Sequence, residues 1–265
     1  ETEAGMLRWV RLSVFTHAHS RQRLVALVDI TEQKRVDTAK SEFVALATHQ
    51  LRTPITGMRW SAELMLVDET EPLSDKQRQY VERLLESIGR LNTLVDDFLN
   101  VSRLELGTLT PEPEPVGLAE LCDAVLEEQR ARISEKQLSI ERDYDPEIAS
   151  ITTDPDLLRM AIVNLVSNAA KYTPERGTVT VGFARVGRDV SLTVSDTGMG
   201  IPIAEQDRVF EKIFRASNAA QEVPDGTGLG LYIVKEVVDV LHGSITFSST
   251  EGHGTTFTIR LPRSL

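Results

Sequence analysis

His49 lies in the run Phe43-Val44-Ala45-Leu46-Ala47-Thr48-His49-Gln50-Leu51-Arg52-Thr53-Pro54. At about 100° per residue, Val44, Ala47, Leu51, Ile55, Met58, Ala62 and Met65 share one apolar stripe of a helix, and His49 points roughly the opposite way. With a free pKa of about 6.5, an imidazole there is mostly neutral near pH 7 and keeps a ring-nitrogen lone pair for nucleophilic attack. A lone exposed histidine on a helix is usually only a solvated side chain. Chemistry at His49 therefore requires a reactant held elsewhere in the chain.

Three later clusters have the residue types to hold one. On a helical pattern whose core stripe is Leu158, Ile162, Leu165 and Ala169, an adjoining face carries Asn164, Asn168, Lys171 and Tyr172. Two asparagines one turn apart offer carbonyl oxygens that ligate Mg²⁺ without neutralising it, and a lysine one turn later reaches phosphate. In Val194-Ser195-Asp196-Thr197-Gly198-Met199-Gly200, an aspartate closes a strand and two glycines follow. A buried carboxylate there accepts a hydrogen bond from an adenine amino group, and Gly198 and Gly200 let backbone approach a flat ring. In Asp225-Gly226-Thr227-Gly228-Leu229-Gly230-Leu231, three glycines precede a helix whose first N–H groups would face phosphates. Each cluster alone has a plain alternative, solvated asparagines or tight turns. Their order along one chain is what points to a nucleotide.

The elements that must position these groups fall into three segments. Leu7 to Phe15 and Leu24 to Ile30 alternate as two strands, and a lone hairpin is marginal in water, so this pair is expected to belong to a larger sheet. Helical periodicity runs from about Glu32 to Asp68 and resumes at Ser74, where Ser74-Asp75-Lys76-Gln77 is a capping box. Leu84, Ile88, Leu91, Val95, Phe98 and Ser102 then recur at spacings of four and three until Gly107. Helices of about 55 and 50 Å cannot bury such stripes alone, so a second copy completing a four-helix bundle is the economical solution. A hairpin covered by the downstream domain is the alternative. Thr110-Pro111-Glu112-Pro113-Glu114-Pro115 reads as a linker. Beyond it the pattern is mixed: a helix over 118–136, a strand over 138–142, and Asp154-Pro155 as N-cap and first helical residue. Strands follow near 179–184, 190–195, 245–248 and 255–261, with a helix over 230–241. Helices on one face of a mixed sheet would bury these patterns.

Composition sets the outer bounds. The chain has 265 residues, 41% hydrophobic and 26% charged, enough for two or more domains with cores. Its net charge of -11 opposes an extended nucleic-acid or anionic-membrane surface, so any phosphate site must be local. No apolar run reaches the roughly 20 residues of a membrane span and no signal-peptide pattern opens the chain, so this piece is expected to be soluble, without membrane contact. Cys122 is the single cysteine, in an apolar helical pattern that suits a buried small residue and a cytoplasmic setting. His17, His19, His242 and His253 lie near turns or element ends and show no metal spacing.

With these residues in place, the chain resembles the sensor histidine kinases of two-component systems over roughly residues 32–265. The resemblance rests on an H box around His49, an N box from Asn164 to Tyr172, a G1 box from Asp196 to Gly200, an F box Phe210-Glu211-Lys212-Ile213-Phe214-Arg215 and a G2 box from Gly226 to Leu231. Gly254-Thr255-Thr256-Phe257 is similar to the family's closing strand, and Val28-Asp29-Ile30-Thr31 looks like the end of a PAS sensor domain entering a helical linker. It implies a PAS-like remnant (1–31), a dimerisation and phosphoacceptor hairpin (32–109) and a Bergerat ATP-binding domain (110–265). It also implies ATP and Mg²⁺ as cofactors, with Asn168 on the metal, Asn164 near metal and phosphates, Lys171 at phosphate, Tyr172 beside adenine and Asp196 on its amino group. Residues 203–225 would form an ATP lid anchored by Phe210 and Phe214. Arg215, Thr227, Leu229 and Thr255 join the nucleotide set by lying in or next to these boxes.

In such kinases the ATP γ-phosphoryl group passes to the histidine and then to an aspartate of a response regulator, and Thr53, one turn after His49, matches a position that helps orient water for phosphatase activity. Gln50 departs from the acidic residue many relatives carry there: a neutral amide accepts a hydrogen bond from the imidazole but not its proton. Pro54 removes the N–H that would bond to the Gln50 carbonyl. Three readings stand at this point: an active homodimeric kinase fed by an upstream sensor domain, an ATP-holding or phosphatase-biased module with a silent His49, and an ATPase of the chaperone or topoisomerase kind.

Overall fold

The computed structural model describes residues 8–16, 23–68, 72–107, 109–223 and 226–263. Within those ranges the side chains of Thr16, Leu24, Ser41, Glu42, Ala45 and His49 are outside the description. Leu7, His17, His19, residues 69–71 of the interhelical loop, and Asp225 lie outside the described residues altogether. The chain divides into two compact units, residues 1–88 and 89–265.

In the first unit, β1 (Val10–Thr16) pairs antiparallel with β2 (Arg23–Asp29), Val10 facing Asp29 and Thr16 facing Arg23. Its alternating apolar residues gain no cover: Val10, Leu12, Val14, Val25 and Leu27 are all exposed. The junction to the next element is tightly bonded. Asp29 Oδ1 accepts the Thr31 N–H at 2.9 Å, Thr31 Oγ1 accepts the Trp9 N–H at 2.9 Å, and Arg8 pairs with Asp29 at 3.0 Å. The hydrogen bonds from Thr31 hold the Asp29 carboxyl below its usual pKa.

Helix α1 (Thr31–Val67) continues through Pro54. Val44, Thr48, Ile55 and Ala62 are buried along it, whereas Leu51, Met58 and Met65 are exposed. The single stripe expected from the sequence is thus two lines, one buried and one facing out. Ser74 starts α2 (Asp75–Glu105) as its capping box requires: Ser74 N–H donates to Gln77 Oε1 at 2.9 Å and Gln77 N–H to Ser74 Oγ at 3.4 Å. Along α2, whose residues from Gly89 on belong to the second unit, Ile88 and Ser102 are buried and Leu84, Leu91 and Phe98 exposed. Gly107, at φ +58°, closes the helix.

In the second unit, the proline-rich stretch is more than a linker. Its end forms β3 (Glu114–Val116), antiparallel to β5 (Ile151–Thr153), a two-stranded edge pair that tolerates Pro115. The helix expected over 118–136 breaks at Gln129 into α3 (Leu118–Glu128) and α4 (Arg130–Glu135). The five-stranded sheet runs β4 (Ser139–Tyr144), β6 (Thr178–Val186), β7 (Asp189–Asp196), β9 (Gly254–Pro262), β8 (Ser244–Thr250), parallel at β4–β6 and antiparallel elsewhere. Helix α5 (Pro155–Tyr172) packs with α3 and α7 (Gly230–Val240) and against β6 and β7. Asp154 caps α5, its Oδ1 accepting the Leu157 N–H at 2.9 Å. Leu158, Ile162, Leu192, Ile233 and Ile259 are fully buried, each contributing about 1.5–3 kcal/mol. Cys122 is fully buried as expected, and burial pushes its thiol up to about 12, far from a thiolate.

Candidate active site

Sheet and helix converge where β7 ends and α5 ends. Asp196 is the last residue of β7, and its Oδ1 accepts the N–H groups of Gly198 at 2.8 Å and Thr255 at 3.3 Å. Among the described residues its Oδ2 accepts no bond, so one oxygen is fixed and the other remains for a ligand donor. Burial raises the Asp196 pKa, and the two backbone donors oppose that rise. Gly198 fits because an added Cβ would lie 2.6 Å from both Asp196 Oδ1 and the Tyr172 carbonyl. Gly200, at φ +64°, approaches the Thr250 carbonyl to a degree no side chain permits. Thr255 is buried, its Oγ1 2.8 Å from Ser249 Oγ.

Across from Asp196, α5 presents Asn164, Asn168, Lys171 and Tyr172, all half-buried. Asn164 Nδ2 donates to the Met160 carbonyl at 2.8 Å, which leaves Oδ1 turned toward Gly230, where an added Cβ would sit 2.7 Å from it. The same position on Gly226 would lie 2.9 Å from Lys171 Nζ and 3.2 Å from Arg215 Nε. Lys171 Nζ is 5.3 Å from the centre of the Tyr172 ring. Burial raises the Tyr172 pKa, and a hydrogen bond with Arg215 works against it. At these glycines the backbone therefore lies close to an amide oxygen and to cationic side chains, groups of the kind that a hard cation and phosphates require.

Residues 203–223 contain a 3-10 helix (Ile203–Arg208) and α6 (Ser217–Glu222) rather than featureless loop. Phe210 packs edge-on against Phe247 at 5.9 Å, and Arg208 lies over the Phe214 ring at 4.5 Å. Arg215 donates to the carbonyls of Ala219, at 3.1 Å, and Val223. Gly228, at φ +71°, packs on Ile213 and Phe214 backbone, and Leu229 N–H donates to Thr227 Oγ1 at 3.2 Å.

Comparison with known proteins gives this arrangement a family. The model for histidine kinase-, DNA gyrase B- and HSP90-like ATPases matches residues 153–265, and the His Kinase A (phospho-acceptor) domain matches residues 39–107. The solved mycobacterial sensor histidine kinase MprB is 34% identical over 57% of this chain and 97% of its own, with a TM-score of 0.50. The chain belongs to the sensor histidine kinases. The ATPase match alone is shared with gyrase and chaperone relatives; the phosphoacceptor match is what separates this histidine kinase from them. Full-length ShkA in complex with AMPPNP is similar over 83% of this chain and 45% of its own, at 31% identity and a TM-score of 0.69. The circadian input-output histidine kinase CikA of Synechococcus elongatus (strain ATCC 33912 / PCC 7942 / FACHB-805) is 34% identical over 91% of this chain. The chain spans about a third of CikA, 32% of its length.

Of the H-box residues of this histidine kinase, His49 lies in α1 with Gln50 and Thr53 exposed beside it. Two further site residues have no local sequence signal. Thr227 of the G2 box donates its hydroxyl to Asp97 Oδ2 on α2 at 2.7 Å, and Lys212 of the F box pairs with Glu105 on the same helix. Burial raises the Asp97 pKa, against the Thr227 hydrogen bond that lowers it. Partners this distant in sequence, 130 and 107 residues, leave no periodic trace.

Proposed function

We propose that this chain is the catalytic part of a homodimeric sensor kinase that phosphorylates His49 from Mg-ATP and passes the phosphoryl group to an aspartate of a response-regulator receiver domain. The observation that carries the reading is the union, in one chain, of a phosphoacceptor-type helix bearing His49 with the glycine-lined cradle at Asp196, Lys171 and Gly226. In the first step a bond forms between a His49 ring nitrogen and the γ-phosphorus, the bond to the β–γ bridging oxygen breaks, ADP leaves, and the imidazole loses a proton. Asp196 Oδ2 accepts from the adenine amino group, Tyr172 borders the base, and Lys171 with the Gly226–Gly230 backbone holds the phosphates. Asn168 and Asn164 would hold Mg²⁺, which neutralises phosphate charge when bound. In the second step the N–P bond breaks as a receiver carboxylate takes the group.

Gln50 orients the His49 ring by accepting from one nitrogen while the proton leaves to solvent. That neutral neighbour also favours a second reading, a module biased toward dephosphorylating the regulator, with Thr53 positioning water. The β1–β2 hairpin and its bonded junction at Asp29 and Thr31 would transmit the state of an upstream, PAS-like sensor domain. Among the described residues no helix is long and apolar enough to cross a membrane; a cytoplasmic setting, where ATP is supplied, goes with the ATP reading. Incubation with γ-labelled ATP tests the kinase reading: the unaltered chain acquires acid-labile, alkali-stable label, His49→Ala acquires none, and Gln50→Glu labels several-fold faster. ATP binding without label would instead favour the second reading.

A further inference from the structure

We propose that Lys136, which lies in none of the nucleotide-binding boxes, is a positioning residue for the nucleotide site; the inference rests on the ATP reading above. Its ammonium donates to three carbonyls at the end of α5: Ala170 at 3.2 Å, Lys171 at 2.6 Å and Thr173 at 2.9 Å. A helix leaves its last carbonyls without intrahelical partners, and its C-terminus carries a partial negative charge that a cation offsets. The bonds of this helix end can be followed one by one. The Ala169 carbonyl accepts from Thr173 N–H at 3.0 Å and Thr173 Oγ1 at 2.6 Å, and the Tyr172 carbonyl accepts from Met199 N–H at 3.3 Å. The carbonyls of Ala170, Lys171 and Thr173 each accept from the Lys136 ammonium.

The last turn so held is the one that faces the nucleotide. Lys171, whose carbonyl takes the shortest of the three bonds, also places its ammonium against Gly226, and Tyr172 follows it. Lys136 is itself fixed by backbone: its N–H donates to the Arg132 carbonyl at 3.1 Å and its carbonyl accepts the Arg176 N–H at 2.9 Å. The stitch continues as Ser139 N–H donates to the Gly177 carbonyl at 2.9 Å, joining the α4–β4 turn to the α5–β6 turn. A displacement at Lys136 is therefore carried through these hydrogen bonds to the Lys171 backbone, and through it to the adjoining Tyr172.

The test compares the chain with Lys136→Met and Lys136→Arg, measuring calorimetric binding of Mg-ATP and Mg-ADP and the KM and kcat of self-labelling. Losing charge-assisted bonds should raise the dissociation constant about tenfold in Lys136→Met, with KM rising in parallel and kcat staying within about twofold. Lys136→Arg keeps the charge, but a planar fork cannot converge on three carbonyls, so it should give about a threefold rise from a folded protein. A purely structural role would lower the bound stoichiometry and leave the dissociation constant of the folded fraction unchanged, which would overturn the proposal. Unchanged affinity in Lys136→Arg would do the same should the Met variant not fold. If the unaltered chain bound neither nucleotide, the ATP reading would fall first and this inference with it.

Discussion

On α5, Leu158, Ile162 and Leu165 are at most 1% exposed, whereas Leu84, Leu91 and Phe98 on α2 retain 48%, 41% and 56% exposure. Both sets follow helical spacing, and both consist of large apolar side chains. The difference lies in what each helix is given to pack against. α5 has a sheet beneath it and helices on either side, so its whole apolar face is covered within one protomer. α2 carries one line through Val81 and Ile88 that is covered and another through Leu84, Leu91 and Phe98 that is not. The α/β unit is thus a finished core, and the helical hairpin leaves an apolar line uncovered, the line that the proposed homodimer would bury.

Replacing Leu84 and Leu91 together by Glu should break this contrast most severely. Each side chain buried in a symmetric interface counts twice, at about 1.5–3 kcal/mol apiece, so the dimer dissociation constant should rise by more than about 100-fold. Sedimentation equilibrium reads it directly, and nucleotide binding by the α/β unit should be untouched. Self-association equal to that of the unaltered chain would mean that the outward line is ordinary surface.

The finished core should respond in the opposite sense. Leu158→Ala leaves a cavity that neighbouring Ile162 and Leu192 cannot fill, and should cost about 3–4 kcal/mol of α/β-unit stability in urea unfolding. Leu84→Ala in the same experiment on dissociated protein should cost less than about 0.5 kcal/mol, since the side chain is half exposed there. Comparable losses at both positions would erase the distinction between the units.

Which residues are apolar was legible in both regions; which line is buried was legible in only one. For Leu158, Ile162 and Leu165 a single face suffices, and periodicity finds it. For Leu51, Met58 and Met65 on α1 two heptad lines compete, and the choice is made by tertiary contact. The strands of the five-stranded sheet were readable to within a residue or two because alternation persists through them, whereas the first strand, expected from Leu7, begins only at Val10. β5 spans only three residues, too short for a pattern, and the break at Gln129 is hidden because Leu126 and Ile133 keep helical spacing across it. The turns at Gly198, Gly200 and Gly228 were legible because close backbone approach there leaves glycine as the residue that fits. Asp97, Glu105 and Lys136 were not, since each acts on a partner more than thirty residues away through a side chain that is unremarkable in its own helix or turn.

The smallest expected effect sharpens the same contrast at the helix starts. Asp154 and Ser74 are both N-caps, but Asp154 is buried and works twice: Oδ1 accepts the Leu157 N–H and Oδ2 accepts the Glu112 N–H, each at 2.9 Å. Ser74 is exposed, and its capping bond from the Gln77 N–H is long, at 3.4 Å. Removing Asp154 leaves two backbone donors without their acceptor away from water, so Asp154→Ala should cost about 2 kcal/mol, near the upper end for a cap. Removing Ser74 exposes its donors to solvent that can replace the bond, so Ser74→Ala should cost about 0.5 kcal/mol. Urea midpoints of the two variants measure the gap. It should persist in the dissociated protein, because neither cap depends on a second copy, and equal costs would show that the burial of Asp154 adds nothing to its capping bond.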